Sequence, residues 1–100
     1  MSKVIFSIRY HVYPERRQEY LDVVRELKNI VKAEGLESYS VFEQKNKPNS
    51  FEEVYVFQSQ ESFENFDDNQ DERIDILMTK LSDMIKEQTT QYTTLLEVSG

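Results

Sequence analysis

The chain of 100 residues reads as a single α+β domain, residues 1–100, with element order β-α-β-β-α-β. Three observations predict it. Four segments alternate with period two, two carry apolar residues at three- and four-residue spacing, and a short polar turn joins the two middle alternating segments. Period two marks strands, the longer spacing marks amphipathic helices, and a turn of that length marks an antiparallel hairpin.

The first strand places Val4, Phe6, Ile8, Tyr10 and Val12 on one face and Ile5, Ser7, Arg9, His11 and Tyr13 on the other. Pro14 then presets φ for a first helical turn, and Glu15 suits the positive helix N-terminus. Tyr20, Leu21, Val24, Leu27, Ile30 and Val31 form the apolar stripe of the helix that follows. Gly35 is expected to end that helix in the left-handed conformation. Leu36 to Gln44 predicts a second strand, with Tyr39 and Val41 on one face and Phe42 on the other. Lys45 to Ser50 is a turn by composition. Phe51 to Gln58 predicts a third strand, Val54 and Val56 opposing Tyr55 and Phe57.

Ser59 is the expected N-cap of a helical piece marked by Phe63 and Phe66. Asp67 to Asp71 should interrupt it, because Asp and Asn side chains compete with helical hydrogen bonds. Ile74, Leu77, Met78, Leu81 and Ile85 give a second helical stripe. Gln91 to Val98 alternates again, with Tyr92, Thr94, Leu96 and Val98 on one face, as a fourth strand.

This order is the split βαβ, or ferredoxin-like, arrangement: a four-stranded antiparallel sheet with both helices on one side. The uncovered face is expected to carry Ile5, Tyr13, Phe42, Tyr55, Phe57 and Leu95, more apolar surface than a monomer leaves exposed. At ~25 cal/mol per Å² and ~100 Å² per large side chain, covering it releases on the order of 10 kcal/mol before association costs. The expected cover is a second copy of the chain, making a homodimer.

Composition narrows the chemistry. The absence of cysteine excludes disulfides, thiol catalysis and thiolate metal sites, and one histidine cannot build a multi-histidine metal centre within one chain. No metal is expected. A formal charge of −7 opposes binding to a phosphate backbone, and Phe51 to Phe57 lacks the basic and glycine positions of an RNA-recognition strand, so nucleic acid is not an expected partner. No apolar run suits a signal segment or a membrane span, which predicts a cytoplasmic protein without membrane association.

Asp67, Asn69 and Asp71 open like a calcium loop, but the sixth position is Glu72 instead of Gly and the twelfth is Met78 instead of Glu. A solvated helix break is the simpler reading. The acidic run Glu61, Glu64, Asp67, Asp68, Asp71, Glu72 and Asp75 reads as a solubilising face, or else as a gate for charged ligands. The two candidate catalytic residues are His11, which titrates near neutrality, and Tyr10, whose phenol can donate a hydrogen bond. Each has a purely structural alternative: an interface imidazole for His11, a core tyrosine for Tyr10.

Three stretches carry a resemblance across nearly the whole chain. They are Tyr13-Pro14-Glu15-Arg16-Arg17-Gln18-Glu19-Tyr20, then Glu34-Gly35-Leu36-Glu37-Ser38-Tyr39, and Val56-Phe57-Gln58-Ser59-Gln60-Glu61-Ser62-Phe63-Glu64-Asn65-Phe66. With these the chain resembles the antibiotic-biosynthesis-monooxygenase-like family of dimeric α/β barrels. The resemblance implies two sheets packed into a shared barrel and a substrate cleft between sheet and helices. It also implies either oxidation of polycyclic phenols or quinols by O₂ without a cofactor, or haem degradation.

The haem branch takes an axial histidine from the second helical region, and Phe66 to Gln88 contains none. The family commonly has Trp at Phe57 and His at Phe66; phenylalanine packs there but donates no hydrogen bond. The implied cleft is lined by Phe6, Ile8, Phe57, Phe63, Phe66 and Tyr92, with Tyr10 and Tyr92 as polar tips and no base evident on that face; the same space closed by Phe6, Ile8, Phe57, Phe63 and Phe66 would equally be an ordinary filled core. The leading expectation is a cofactor-independent monooxygenase acting on a small aromatic or quinone-type metabolite. The alternative is a non-catalytic homodimeric module that binds a small apolar ligand or assembles.

Overall fold

The computed structural model describes residues 2–66 and 71–98. It contains β1 (Val4–His11), a 3₁₀ turn (Pro14–Arg16), α1 (Arg17–Ile30), β2 (Leu36–Glu43), β3 (Ser50–Phe57), α2 (Gln60–Glu64), α3 (Glu72–Ser82) and β4 (Gln91–Leu96). The strands form one antiparallel sheet in the order β2-β3-β1-β4, the α+β ferredoxin-like arrangement. Of the predicted helix break, Asp67 to Gln70 lie outside the described residues; Asp71 caps α3, its carboxylate accepting from the Arg73 N–H at 2.8 Å. Among the described residues no helix is long and apolar enough to cross a membrane.

The register fixes the faces. Val4, Phe6, Ile8 and Tyr10 of β1 stand opposite Phe57, Tyr55, Glu53 and Phe51 of β3, and all eight face the helices. Onto them α1 lowers Tyr20, Val23, Val24 and Leu27, and α3 lowers Ile74, Leu77 and Leu81. The opposite face presents Ile5, Ser7, Arg9, Val54, Val56, Phe42 and Leu95.

Two sequence expectations are corrected here. Tyr55 and Phe57 do not belong to the uncovered face: they are 2% and 0% exposed, beneath the aromatic rings that follow β3. Phe66 lies 5.6 Å from the Tyr55 ring and 5.2 Å from that of Phe57, and Phe63 lies 5.4 Å from Phe57. A rotation of the strand by one face would bring Val54 and Val56 under the helices instead, where they could not fill that space. The uncovered face is therefore aliphatic and small, with Phe42 as its aromatic. Tyr13 lies past the end of β1, at the head of the 3₁₀ turn.

Gly35 does not end α1. The helix stops at Ile30, and Val31 turns extended (φ −72°, ψ 106°) to bury its side chain while its N–H bonds the Leu27 carbonyl at 2.8 Å. Gly35 instead makes the turn into β2 at φ +82°, and its carbonyl accepts from the Gln58 N–H at 2.8 Å. Ser59 caps α2 as expected, accepting from the Ser62 N–H at 3.1 Å.

After α3 the chain is tied to the end of β1. Val12 bridges Ile85, the Tyr13 N–H donates to the Met84 carbonyl at 3.0 Å, and the Lys86 N–H donates to the His11 carbonyl at 2.8 Å. β4 then runs along the free edge of β1. All six of its residues are exposed, because the helices do not extend over it.

Candidate active-site cleft

The space between sheet and helices has two halves, one lined by packed rings and one holding a cleft. Toward α2, Phe6, Phe57, Phe63 and Phe66 close on one another, with Phe6 and Phe63 rings 5.6 Å apart. Of these four, Phe57 is buried core, and Phe6, Phe63 and Phe66 are partly buried against it. Toward α3 a cleft of about 370 Å³ remains. Ile8, Tyr10 and Glu53 form its floor, Met78, Leu81 and Ser82 of α3 its roof, and the 85–90 segment with Tyr92 its rim. Of the six expected pocket residues, Ile8 and Tyr92 line this cleft. Tyr92 is 69% exposed and stacks on Phe6 at 6.2 Å, so it stands where the two halves meet.

Tyr10 and His11 do not share a site. Consecutive residues of a strand point to opposite faces, so Tyr10 is buried beneath the cleft while His11 is exposed on the other side of the sheet. The His11 backbone N–H donates to the Thr89 hydroxyl at 3.2 Å, which fixes the rim segment, and that hydroxyl donates to the Lys86 carbonyl at 2.7 Å. Gln88 turns this segment at φ +63°.

The residue that sequence reasoning missed is Glu53. It is 2% exposed on the helix-facing side of β3, between Ile8 of β1 and Val41 of β2. The Tyr39 hydroxyl donates to its Oε1 at 2.7 Å. A second phenol pair lies beside it: the Tyr10 and Tyr20 hydroxyls are 2.6 Å apart. Burial pushes the ionisation of Tyr10, Tyr20 and Tyr39 far above the usual phenol range, and the nearby Glu53 charge adds to this. All three therefore remain neutral hydrogen-bonding groups at any working pH.

The signal for Glu53 was present. Phe51, Glu53, Tyr55 and Phe57 alternate on one face, so placing the aromatics under the helices places the carboxyl there too. Reading Tyr55 and Phe57 as partly solvent-facing hid it. Among the described residues no three His, Asp or Glu side chains gather as a metal-binding group.

The sequence pattern of a family described as "Antibiotic biosynthesis monooxygenase" matches residues 3–71, from the start of β1 to the cap of α3. Solved structures of similar fold span nearly the whole chain. A conserved protein from Methanosarcina mazei Go1 has a TM-score of 0.77 at 18% identity, covering 95% of this chain and 92% of that one. Rv0793 from Mycobacterium tuberculosis has a TM-score of 0.76 at 13% identity, over 98% and 97%. A mutant of SnoaB, a cofactor-independent oxygenase from Streptomyces nogalater, has a TM-score of 0.71 at 16% identity, over 93% and 90%. At such identities the likeness is one of fold. No curated protein matches the sequence.

Proposed function

The chain belongs to the antibiotic biosynthesis monooxygenase family, and on that premise we propose that it is a cofactor-independent monooxygenase acting on a small aromatic phenol or quinol. The observation that carries this reading is the open cleft of about 370 Å³ reaching a buried carboxyl group. Its volume falls within the roughly 300–1,000 Å³ of small-molecule sites. Ile8, Met78 and Leu81 supply apolar surface for an aromatic ring, and the floor supplies the polar groups. The reaction balances as phenol plus O₂ giving quinone plus water. The substrate loses four electrons, one oxygen atom becomes the new carbonyl and the other leaves as water.

The working unit in this proposal is a homodimer joined through the uncovered sheet face. Ile5, Val54 and Val56 are half-buried there, with Phe42 and Leu95 more than half exposed. The accessible surface of 6846 Å² exceeds the roughly 6,000 Å² expected of a compact monomer of this mass.

One observation favours the second reading, a non-catalytic homodimeric ligand-binding module: the Tyr10 hydroxyl is already bonded to Tyr20. Oxygen uptake with 1-naphthol and dihydroxynaphthalenes separates the two, alongside fluorescence-detected binding of 1-naphthol. The proposal expects saturable uptake of one O₂ per naphthol with no added flavin or metal. Saturable binding without uptake supports the module, and neither binding nor uptake removes both readings.

A further inference from the structure

We propose that Glu53 is the base of this cleft, taking the hydroxyl proton of the substrate, so that the site selects arenes with a free hydroxyl over their methyl ethers. The inference rests on the monooxygenase reading of the same cleft but can fail independently of it.

Burying a carboxyl group costs several kcal/mol unless partners compensate. Glu53 occupies the centre of a sheet face otherwise built from Phe51, Tyr55 and Phe57, where an apolar side chain would pack without that cost. What distinguishes its position is access to the cleft floor together with a fixed donor behind it. Tyr39 holds one carboxylate oxygen at 2.7 Å and is itself packed against the Tyr55 ring at 4.8 Å. A donor that bonds the ionised form favours the carboxylate, opposing the effect of burial. Among the described residues, the titratable groups set around Glu53 include Tyr39 from β2, Tyr55 from its own strand, Tyr10 from β1 and Tyr20 from α1, and Lys86 and Glu87 line the same cleft from the rim after α3. Tyr10, Tyr20 and Tyr39 stay neutral, while Lys86 and Glu87 bring formal charges to the cleft rim. His11, on the far face, takes no part.

The Glu53 carboxylate accepts the O–H proton of a bound phenol. The resulting phenolate gives electrons to O₂, and a C–O bond forms at the ring carbon para to the oxygen. The proton returns from Glu53 to the terminal peroxide oxygen. The O–O bond then breaks as the same ring carbon loses its hydrogen, releasing water and leaving a quinone. General base assistance of this kind contributes about 10²–10⁴-fold.

The test uses 1-naphthol and 1-methoxynaphthalene as probes. In the native protein 1-naphthol should bind at least about tenfold more tightly, and the preference should fall away as acid protonates one group. Glu53→Gln, which keeps shape and the contact with Tyr39, should bring the two affinities within about twofold. The same change should leave the methyl ether's affinity unaltered and lower oxygen uptake by about 100-fold or more. Tyr39→Phe removes a donor to the carboxylate, so the acid limb of the preference should move to higher pH.

Two results overturn the proposal: a Glu53→Gln protein that keeps the preference or the uptake, or a native protein without pH-dependent preference. The second needs no variant to fold. If the native preference is present and Glu53→Gln abolishes it while no oxygen is consumed, the proton-acceptor role stands and the monooxygenase reading falls.

Discussion

Glu53 and Glu43 are both carboxylates on the sheet, yet their surroundings give them opposite tasks. Glu53 is enclosed and bonded to a neutral phenol. Glu43 lies at the end of β2, where the Arg17 guanidinium donates to Oε1 at 2.8 Å and the Asn49 N–H donates to Oε2 at 2.9 Å. Arg17 also lies over the Phe51 ring at 5.5 Å. The Arg17 bond first, then the Asn49 amide, lowers the Glu43 pKa to about 2. A folded pKa below the unfolded value stabilises at pH above the unfolded pKa, and that gain is lost as pH falls through the folded one. Because the pair is partly exposed, it is worth about 0.5–1 kcal/mol. Glu43→Gln should therefore lower stability by about that amount at pH 7 in urea unfolding. The difference should shrink below the ordinary glutamate range and vanish near pH 2. Alternation with Phe51, Tyr55 and Phe57 makes the burial of Glu53 legible in the chain once those aromatics are placed under the helices, but not the partner of either carboxylate. The partners Tyr39 and Arg17 come from elsewhere in the sequence.

At the level of elements, alternation and helical spacing did most of the work of locating structure, and strand packing decided the rest. Period two separates Tyr10 from His11, and the sheet keeps them apart. The end of α1 was misread because glycine is a general stop signal, whereas here burial of Val31 stops the helix and Gly35 serves the following turn. That turn is tightly built. A Cβ at Gly35 would lie 2.0 Å from the Ser62 hydroxyl oxygen and 2.4 Å from its Cβ, at a positive φ. The left-handed conformation costs an L-residue about 1–2 kcal/mol, and overpacking adds about 1–3 kcal/mol. Gly35→Ala should accordingly destabilise the protein by more than about 2 kcal/mol in urea unfolding. Combining it with Ser62→Gly should return the overpacking part and leave the backbone part. Equal stability of Gly35→Ala and the native protein would show that the β2 entrance is not held as described.

Across the whole molecule, the order of elements and the helix-facing side of β1 are legible in the sequence, while the helix-facing side of β3 and the division of the interior are not. Of the six residues expected to line one pocket, Phe6, Phe57, Phe63 and Phe66 are joined by ring contacts at one end, and Ile8 and Tyr92 line the cleft at the other. Which of these happens depends on where α2 and α3 lie over the sheet, a matter of tertiary placement beyond the reach of periodicity. The uncovered face gives the whole-molecule test. Val54→Glu puts a charge at its centre, and if the proposed dimer forms through this face the native chain should sediment as a dimer and the variant as a monomer. A native chain that is monomeric at micromolar concentration would remove the shared barrel. β4 adds a kinetic reading of the same assembly. A strand whose six residues are all exposed, its leucines about half so, leans heavily on its backbone ladder to β1, and such segments open at low free-energy cost. Its amides should exchange with deuterium well ahead of those of β1 and β3 in a separated chain, and slow down once a second sheet covers Leu95. Tyr92 rides on that strand at the rim of the cleft, so breathing of the last strand would be the gate through which a ligand passes, and subunit concentration would set how often it opens.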